Sequence, residues 1–256
     1  MNPYNEFFLN IELKQKKFLK KGIFSFPLMF MGLFIAVKIS THNTGIYQSF
    51  FAVEDGPVEW GTSLVYFLAS LVALSIAIKF CKDKSTTYGV LYLVLAVGLF
   101  LISMEEISWG QRIFSIQTPE YFKEHNDQGE LTVHNLLGRY FLHIAYILVS
   151  FYGAFAKRIL PKKIKTNQKE LINLFVPDSF LYFYFLPAFA FYLYLDYISR
   201  IFYKFLGPDT IFGYGPGKFI MPKDQETVEL VLALGFLCFV IINKYRQSRK
   251  RLIVGK

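Results

Sequence analysis

Two cysteines, four histidines and two tryptophans in 256 residues leave little material for most metal and redox chemistry. Cys81 and Cys238 show no ligand spacing, which excludes a disulfide framework and a cysteine zinc site. Charge is also scarce, at 18% of residues. No serine nucleophile motif, P-loop, dinucleotide fingerprint or His-rich box is present, which argues against most cofactor enzymes. What fills the chain instead is apolar: 54% hydrophobic and 19% aromatic residues. That balance belongs to a membrane protein rather than a soluble domain. The net charge of +9 sits in short clusters beside apolar runs. Orientation in a membrane explains such clusters better than nucleic-acid binding, so membrane lipids are the expected partners and nucleic acid is not.

The apolar runs predict an all-α integral membrane protein, a bundle of about six transmembrane helices. They fall over residues 22–40, 58–80, 88–109, 134–156, 179–203 and 225–243. Each has roughly the twenty residues that a bilayer core requires. Residues 1–21 and 244–256 read as basic tails around one membrane domain, 22–243. The first run follows a Lys-rich tail, lacks a small-residue cleavage site and reads as an anchor that stays. Apolar residues within that tail suit an amphipathic helix lying on the membrane. Asp55 and Asp224 are candidate helix caps, Pro57 is pre-set for a first turn, and Pro27 and Pro187 fall inside spans.

Lys and Arg concentrate in both tails and in the connections around 79–84 and 157–169. Those segments and their flanks hold only Glu6, Glu12, Asp83, Glu170 and Asp178 among the acids. The positive-inside rule then places both termini in the cytoplasm. With six helices, Glu54, Asp55, Glu59, Glu105, Glu106, Glu130, His134, Glu226 and Glu229 all map to the opposite, outer face. Four helices and the segments before them supply this layer, which is how a site looks in sequence.

Three readings of the layer stand. In the first it is a metal or acid/base site. Glu130 and His134 are i, i+4 and share a face if the fourth helix extends back over both, and Glu105, Glu106, Glu130 and His134 form a ligand set for a divalent metal. In the second the acids cap helices and pair with arginines. Arg112 and Arg139 neutralise Glu105 and Glu106, while Glu54, Glu226 and Glu229 complement helix dipoles. In the third the layer binds ions or relays protons. His143 reads as a hydrogen-bonded packing residue, and Asp196 and Arg200, at i, i+4, as a mutual pair. The aromatic run 180–197 reads as packing, or as a wall for an acyl or isoprenoid chain.

Glu54-Asp55-Gly56, Glu59-Trp60, Glu105-Glu106-Ile107-Ser108-Trp109-Gly110-Gln111-Arg112 and Gln128-Gly129-Glu130 with His134-Asn135-Leu136 resemble a family of bacterial multi-pass membrane proteins of unassigned activity. The resemblance covers about residues 50 to 140, with a looser match at Glu226-Thr227-Val228-Glu229. It implies a bacterial cytoplasmic (inner) membrane and supplies no reaction. A thinner similarity is to alkaline-ceramidase-like membrane hydrolases, but the several zinc histidines of those enzymes are missing here. The expected function is an enzyme acting on a lipid or lipid-linked substrate, metal-assisted or acid/base. Glu105, Glu106 and His134 would be catalytic, and Arg112, Arg139, Glu59 and Trp109 would contact substrate. The alternatives are a non-enzymatic component held by ion pairs and a small transporter.

Overall fold

The computed structural model describes residues 13–41, 45–51, 53, 56–111, 113–125, 131, 132, 136, 139–160, 172–199, 201 and 220–254. Among them the chain is helical and contains no strand. Six helical segments are long and apolar enough to cross a membrane: Lys21–Ser40, Pro57–Lys82, Thr86–Glu106, Tyr140–Ile159, Ile172–Ile198 and Pro222–Ser248. The chain is a multi-pass membrane protein. We number its main helices α1 (Leu13–Ser40), α2 (Pro57–Lys82), α3 (Thr86–Glu106), α4 (Arg139–Ile159), α5 (Tyr182–Leu193) and α6 (Gln225–Val254).

Several boundaries differ from the sequence reading, each for a local reason. Helix α3 stops at Glu106 rather than 109, because Ser108, Trp109 and Gly110 all adopt left-handed backbone. Helix α4 starts at Arg139 rather than 134. Leu131 and Thr132, between Glu130 and His134, are not helical, so no continuous helix carries those two residues on one face. Arg139 is therefore the first residue of α4, not a residue five positions inside it. Gly56, not Asp55, occupies the N-cap of α2, with Pro57 in the first turn. Helix α1 begins well before the apolar run, which leaves Pro27 in its interior. Helix α5 stays helical past Pro187 and loosens only at the π-turn Tyr194–Ile198.

Packing follows the small residues. Helices α2 and α3 form the tightest antiparallel pair, with Ala69, Ala73, Ala77, Gly89 and Ala96 buried between larger side chains. Ser63 and Ser103 donate reciprocally to each other's backbone carbonyls at 2.8 Å, pinning the pair one turn below its polar end. Such small-residue seams and hydroxyl cross-links are what hold helices together in lipid. Helix α6 packs on α2 and on α5, α5 packs on α4, and α1 lies across α5 and α6. The order is thus an arc, α3–α2–α6–α5–α4, in which α3 and α4 make no extensive contact with each other.

Gly153 of α4 shows how close the α4–α5 seam is. A Cβ there would lie 2.1 Å from the Phe185 ring. Gly153→Ala is expected to cost roughly 1–3 kcal/mol of overpacking. A lowered melting temperature in detergent, recovered on adding Phe185→Leu, checks it.

Candidate functional site

The site begins where α3 ends. Ser108 (φ 47°) and Trp109 (φ 56°) are in the left-handed region, followed by Gly110 (φ 71°). Left-handed backbone costs a non-glycine residue about 1–2 kcal/mol, and only the glycine adopts it freely. The reversal swings the Trp109 indole back, where its Nε1–H donates to Glu105 Oε1 at 2.6 Å. Gln111 then latches the connection: its Nε2 donates to Thr118 Oγ1 at 2.5 Å, and its Oε1 accepts the Leu131 N–H at 2.8 Å.

Beside Glu105, Glu106 meets two acids from other helices. Glu59 in the first turn of α2, Glu106 at the last residue of α3 and Glu226 in the first turn of α6 each bring a carboxylate oxygen within 4.8 Å of the others. Glu59 and Glu106 are half-buried, whereas Glu226 is 7% exposed. Glu59 and Glu226 suit helix N-termini, where the dipole favours negative charge; Glu106 sits at a C-terminus, where it does not. At an effective dielectric constant near 20, carboxylates this close repel by roughly 3–4 kcal/mol per pair when ionised. A shared proton, a cation or a cationic group of a substrate offsets that.

A second row lies one turn deeper. Glu229 of α6 is 5% exposed and accepts a hydrogen bond from the Tyr192 hydroxyl of α5. The Tyr192 ring stacks on Tyr146 of α4 with centroids 4.6 Å apart and lies against His143 at 4.9 Å. His143, 5% exposed, is hydrogen-bonded through Nδ1 to Asp196 at 2.9 Å. Asp196 sits in the π-turn that continues α5. Extra-residue turns of this kind recur where a helix re-aims a functional side chain.

Of the residues proposed from sequence, the structure gathers Glu59 and Glu106 with Glu226, and sets Glu105 and Trp109 beside them as a bonded pair. Arg112, Glu130 and His134 lie outside the described residues, as do Glu54, Asp55 and the side chain of Arg139. Asp196 pairs with His143; Arg200, the partner expected from spacing, lies outside the described residues. The assignments left out Glu226, Glu229, Tyr192 and the His143–Asp196 pair. A signal existed for the last: both are ionisable residues inside apolar runs, at similar depth from the same end of the bundle.

A cavity of about 730 Å³ lies between α3 and α4, starting at Ile102, one turn below Glu106, and reaching Leu174 and Phe175. Tyr66 and Tyr146 form its inner wall near the acids, and Leu99, Leu142, Phe236 and Phe239 continue it. Of the aromatic residues of α5, Phe185 alone lines it; Tyr184, Phe191 and Tyr192 are buried in packing. These buried aromatics of α5 therefore follow the packing reading of the aromatic run, with Phe185 on the cavity wall. The chain matches no protein-family model, no curated protein and no solved structure.

Proposed function

We propose that this protein is an enzyme of the bacterial cytoplasmic membrane, with both termini inside, that acts on a lipid or lipid-linked substrate at the outer interface. The observation that carries the reading is the convergence of Glu59, Glu106 and Glu226 from three helices beside an apolar cavity. Acids from first and last turns of separate helices meet only when the bundle is built to bring them together. The charge bias of the tails and connections supports the orientation, and the Glu-Glu-Ile-Ser-Trp-Gly-Gln-Arg string supports the bacterial setting.

In this reading Glu106 exchanges a proton with the substrate, and Glu59 and Glu226 share the charge that results. Trp109 holds Glu105 aside and shapes the entrance. Arg112, Arg139 and His134 keep their sequence-based roles as headgroup contacts and second base. The same three oxygens also have the spacing of a divalent-metal site, in which Glu106 would be a ligand.

The test is lipid turnover by the purified protein in vesicles of bacterial lipid, followed by mass spectrometry. Glu106→Gln is expected to fold and melt as the wild type does and to lose product formation by about 10²-fold or more. Elemental analysis of the same samples separates the two chemistries. One equivalent of divalent metal that disappears in Glu106→Gln selects the metal version, and metal-free active protein selects carboxylate acid/base work. A wild-type protein that converts no lipid, with or without added divalent metal, overturns the enzyme reading. Buried ion pairs elsewhere in the bundle favour a second reading, a non-enzymatic component whose polar groups hold helices together. That one expects Glu106→Gln to change stability and nothing else.

A further inference from the structure

The chain that leaves the acid-bearing end of α3 carries apolar side chains that the bundle leaves uncovered. Between Arg112 and Glu120 it holds no charge: Ile113-Phe114-Ser115-Ile116-Gln117-Thr118-Pro119. Ile113, Phe114 and Ile116 are 55%, 72% and 45% exposed, and Phe114 is the most exposed large apolar side chain among the described residues. Single exposed apolar residues are ordinary, but three within four positions of one connection mark a contact surface.

Three observations point to lipid as its cover. The first is level. Val97, Leu101 and Ile102 of α3 are exposed up to one turn below Glu106. In a membrane protein such surface meets hydrocarbon, so the hydrocarbon boundary lies near the end of α3. The headgroup zone beyond that boundary is only about 5–8 Å thick on each side. The second is the placing of the chain's two tryptophans. Trp60 in the first turn of α2 and Trp109 just past α3 stand at this same end. Indoles favour the headgroup level and so mark it independently. The third is the backbone. The Phe114 N–H donates to the Gly110 carbonyl at 3.0 Å, and the Ile116 N–H to the Gln111 carbonyl at 2.9 Å. These bonds coil residues 110–116 compactly and give peptide groups close to hydrocarbon the internal partners they need. The Gln111 side chain, bonded to Thr118 and to the Leu131 N–H, holds the coil in this shape.

We infer that Ile113, Phe114 and Ile116 form an anchor seated in the headgroup–acyl boundary of the bilayer at this end of the bundle. The short helix that follows, Glu120–His125, has Glu120, Lys123 and Glu124 exposed and returns the chain to water. The anchor requires only the membrane, and stands whether or not the acidic layer does chemistry. What it supplies is depth: the end of α3, with Glu105 and Glu106, is held at one level against the lipid surface.

Spin labels read that depth. The full-length protein with Cys81→Ser and Cys238→Ala carries a nitroxide on Ile113→Cys, Phe114→Cys, Ile116→Cys or Glu124→Cys, and is reconstituted in phospholipid vesicles. All four positions are exposed, so a label displaces no packed side chain. Labels at 113, 114 and 116 are expected to collide several times more with oxygen, which concentrates in lipid, than with a water-soluble nickel chelate. The label at 124 is expected to do the reverse. Adding Ile113→Asp and Phe114→Asp is expected to raise nickel collisions at the 116 label several-fold at an unchanged melting temperature; Phe114→Ser alone is read in the same way should the double variant melt early.

The anchor is ruled out if labels at 113, 114 and 116 meet nickel as freely as the one at 124, which puts the coil in water. Labels shielded from both reagents also rule it out. Dipolar broadening that vanishes on dilution with unlabelled protein then assigns the surface to a second copy, and its absence assigns it to another part of this chain. A 116 label that stays in lipid after the substitutions overturns it as well, because the apolar side chains then do not set the depth.

Discussion

Lys38→Met is expected to destabilise the bundle by about 3–5 kcal/mol. Lys38 is 4% exposed at the end of α1, and its ammonium pairs with Asp224, which is 8% exposed. The Tyr47 hydroxyl donates to the other oxygen of Asp224 at 3.0 Å, and the Met221 N–H donates to Oδ2 at 2.7 Å. The ammonium also lies 5.2 Å from the Tyr47 ring centroid, a cation–π distance. Removing the cation alone leaves a buried carboxylate with two neutral donors, which is the expensive half of the arrangement. Adding Asp224→Asn removes the stranded charge while keeping an oxygen for Met221 or Tyr47. The double variant should therefore recover most of the loss. Unfolding by heat or denaturant in detergent reads both numbers; a double variant as unstable as Lys38→Met shows that the ion pair is not what ties α1 to α6.

Arg246→Met should have an effect of the same order at the opposite end. Arg246 Nη2 donates to Asp178 Oδ2 at 2.5 Å, and Nη1 donates to the Asn173 carbonyl and Asn243 Oδ1, each at 3.0 Å. Asp178 is 2% exposed, so losing the guanidinium removes its bonded cation and leaves only the ammonium of Lys157 within electrostatic reach. The same knot holds the chain entering α5: Asn243 Nδ2 and the Tyr92 hydroxyl both donate to the Leu174 carbonyl, at 3.1 and 2.6 Å. Arg246→Met with Asp178→Asn should again be more stable than Arg246→Met alone. Both losses should fall toward the lower end of the range, because helices separated in a bilayer remain helices and find other polar partners. These variants also calibrate the functional test. A substitution in the acidic layer that acts through stability should resemble them, with falling yield and melting temperature, and one that acts through chemistry should not.

The six spans were legible because twenty apolar residues in a row have few other fates. Glu105 and Glu106 stood out for a similar reason, as two charges at the wrong end of an apolar helix. Their partners were harder to read. Spacing along one helix links Glu130 to His134 and Asp196 to Arg200, residues that lie partly or wholly outside those described, whereas the contacts seen among the described residues run between helices, Glu106 to Glu59 and Glu226, and Asp196 to His143. Those depend on how each helix is rotated about its axis, which alternation of apolar residues barely constrains when every face is apolar. The left-handed reversal at Ser108–Gly110 was hidden for another reason. Ser108 is only a weak turn former and Trp109 none, so the following glycine is the main hint of the reversal.

The open arc divides the polar groups into sets. Helices α2 and α3 form one tightly packed pair carrying Glu59, Glu105 and Glu106, and α4 and α5 with its π-turn form another carrying Tyr146, His143, Tyr192 and Asp196. Helix α6 packs on α2 and on α5, and it carries Glu226 to the first set and Glu229 to the second. The Ser63–Ser103 clasp closes one pair and the His143–Asp196 bond the other, so among the described residues it is α6 that ties the two sets of polar groups together.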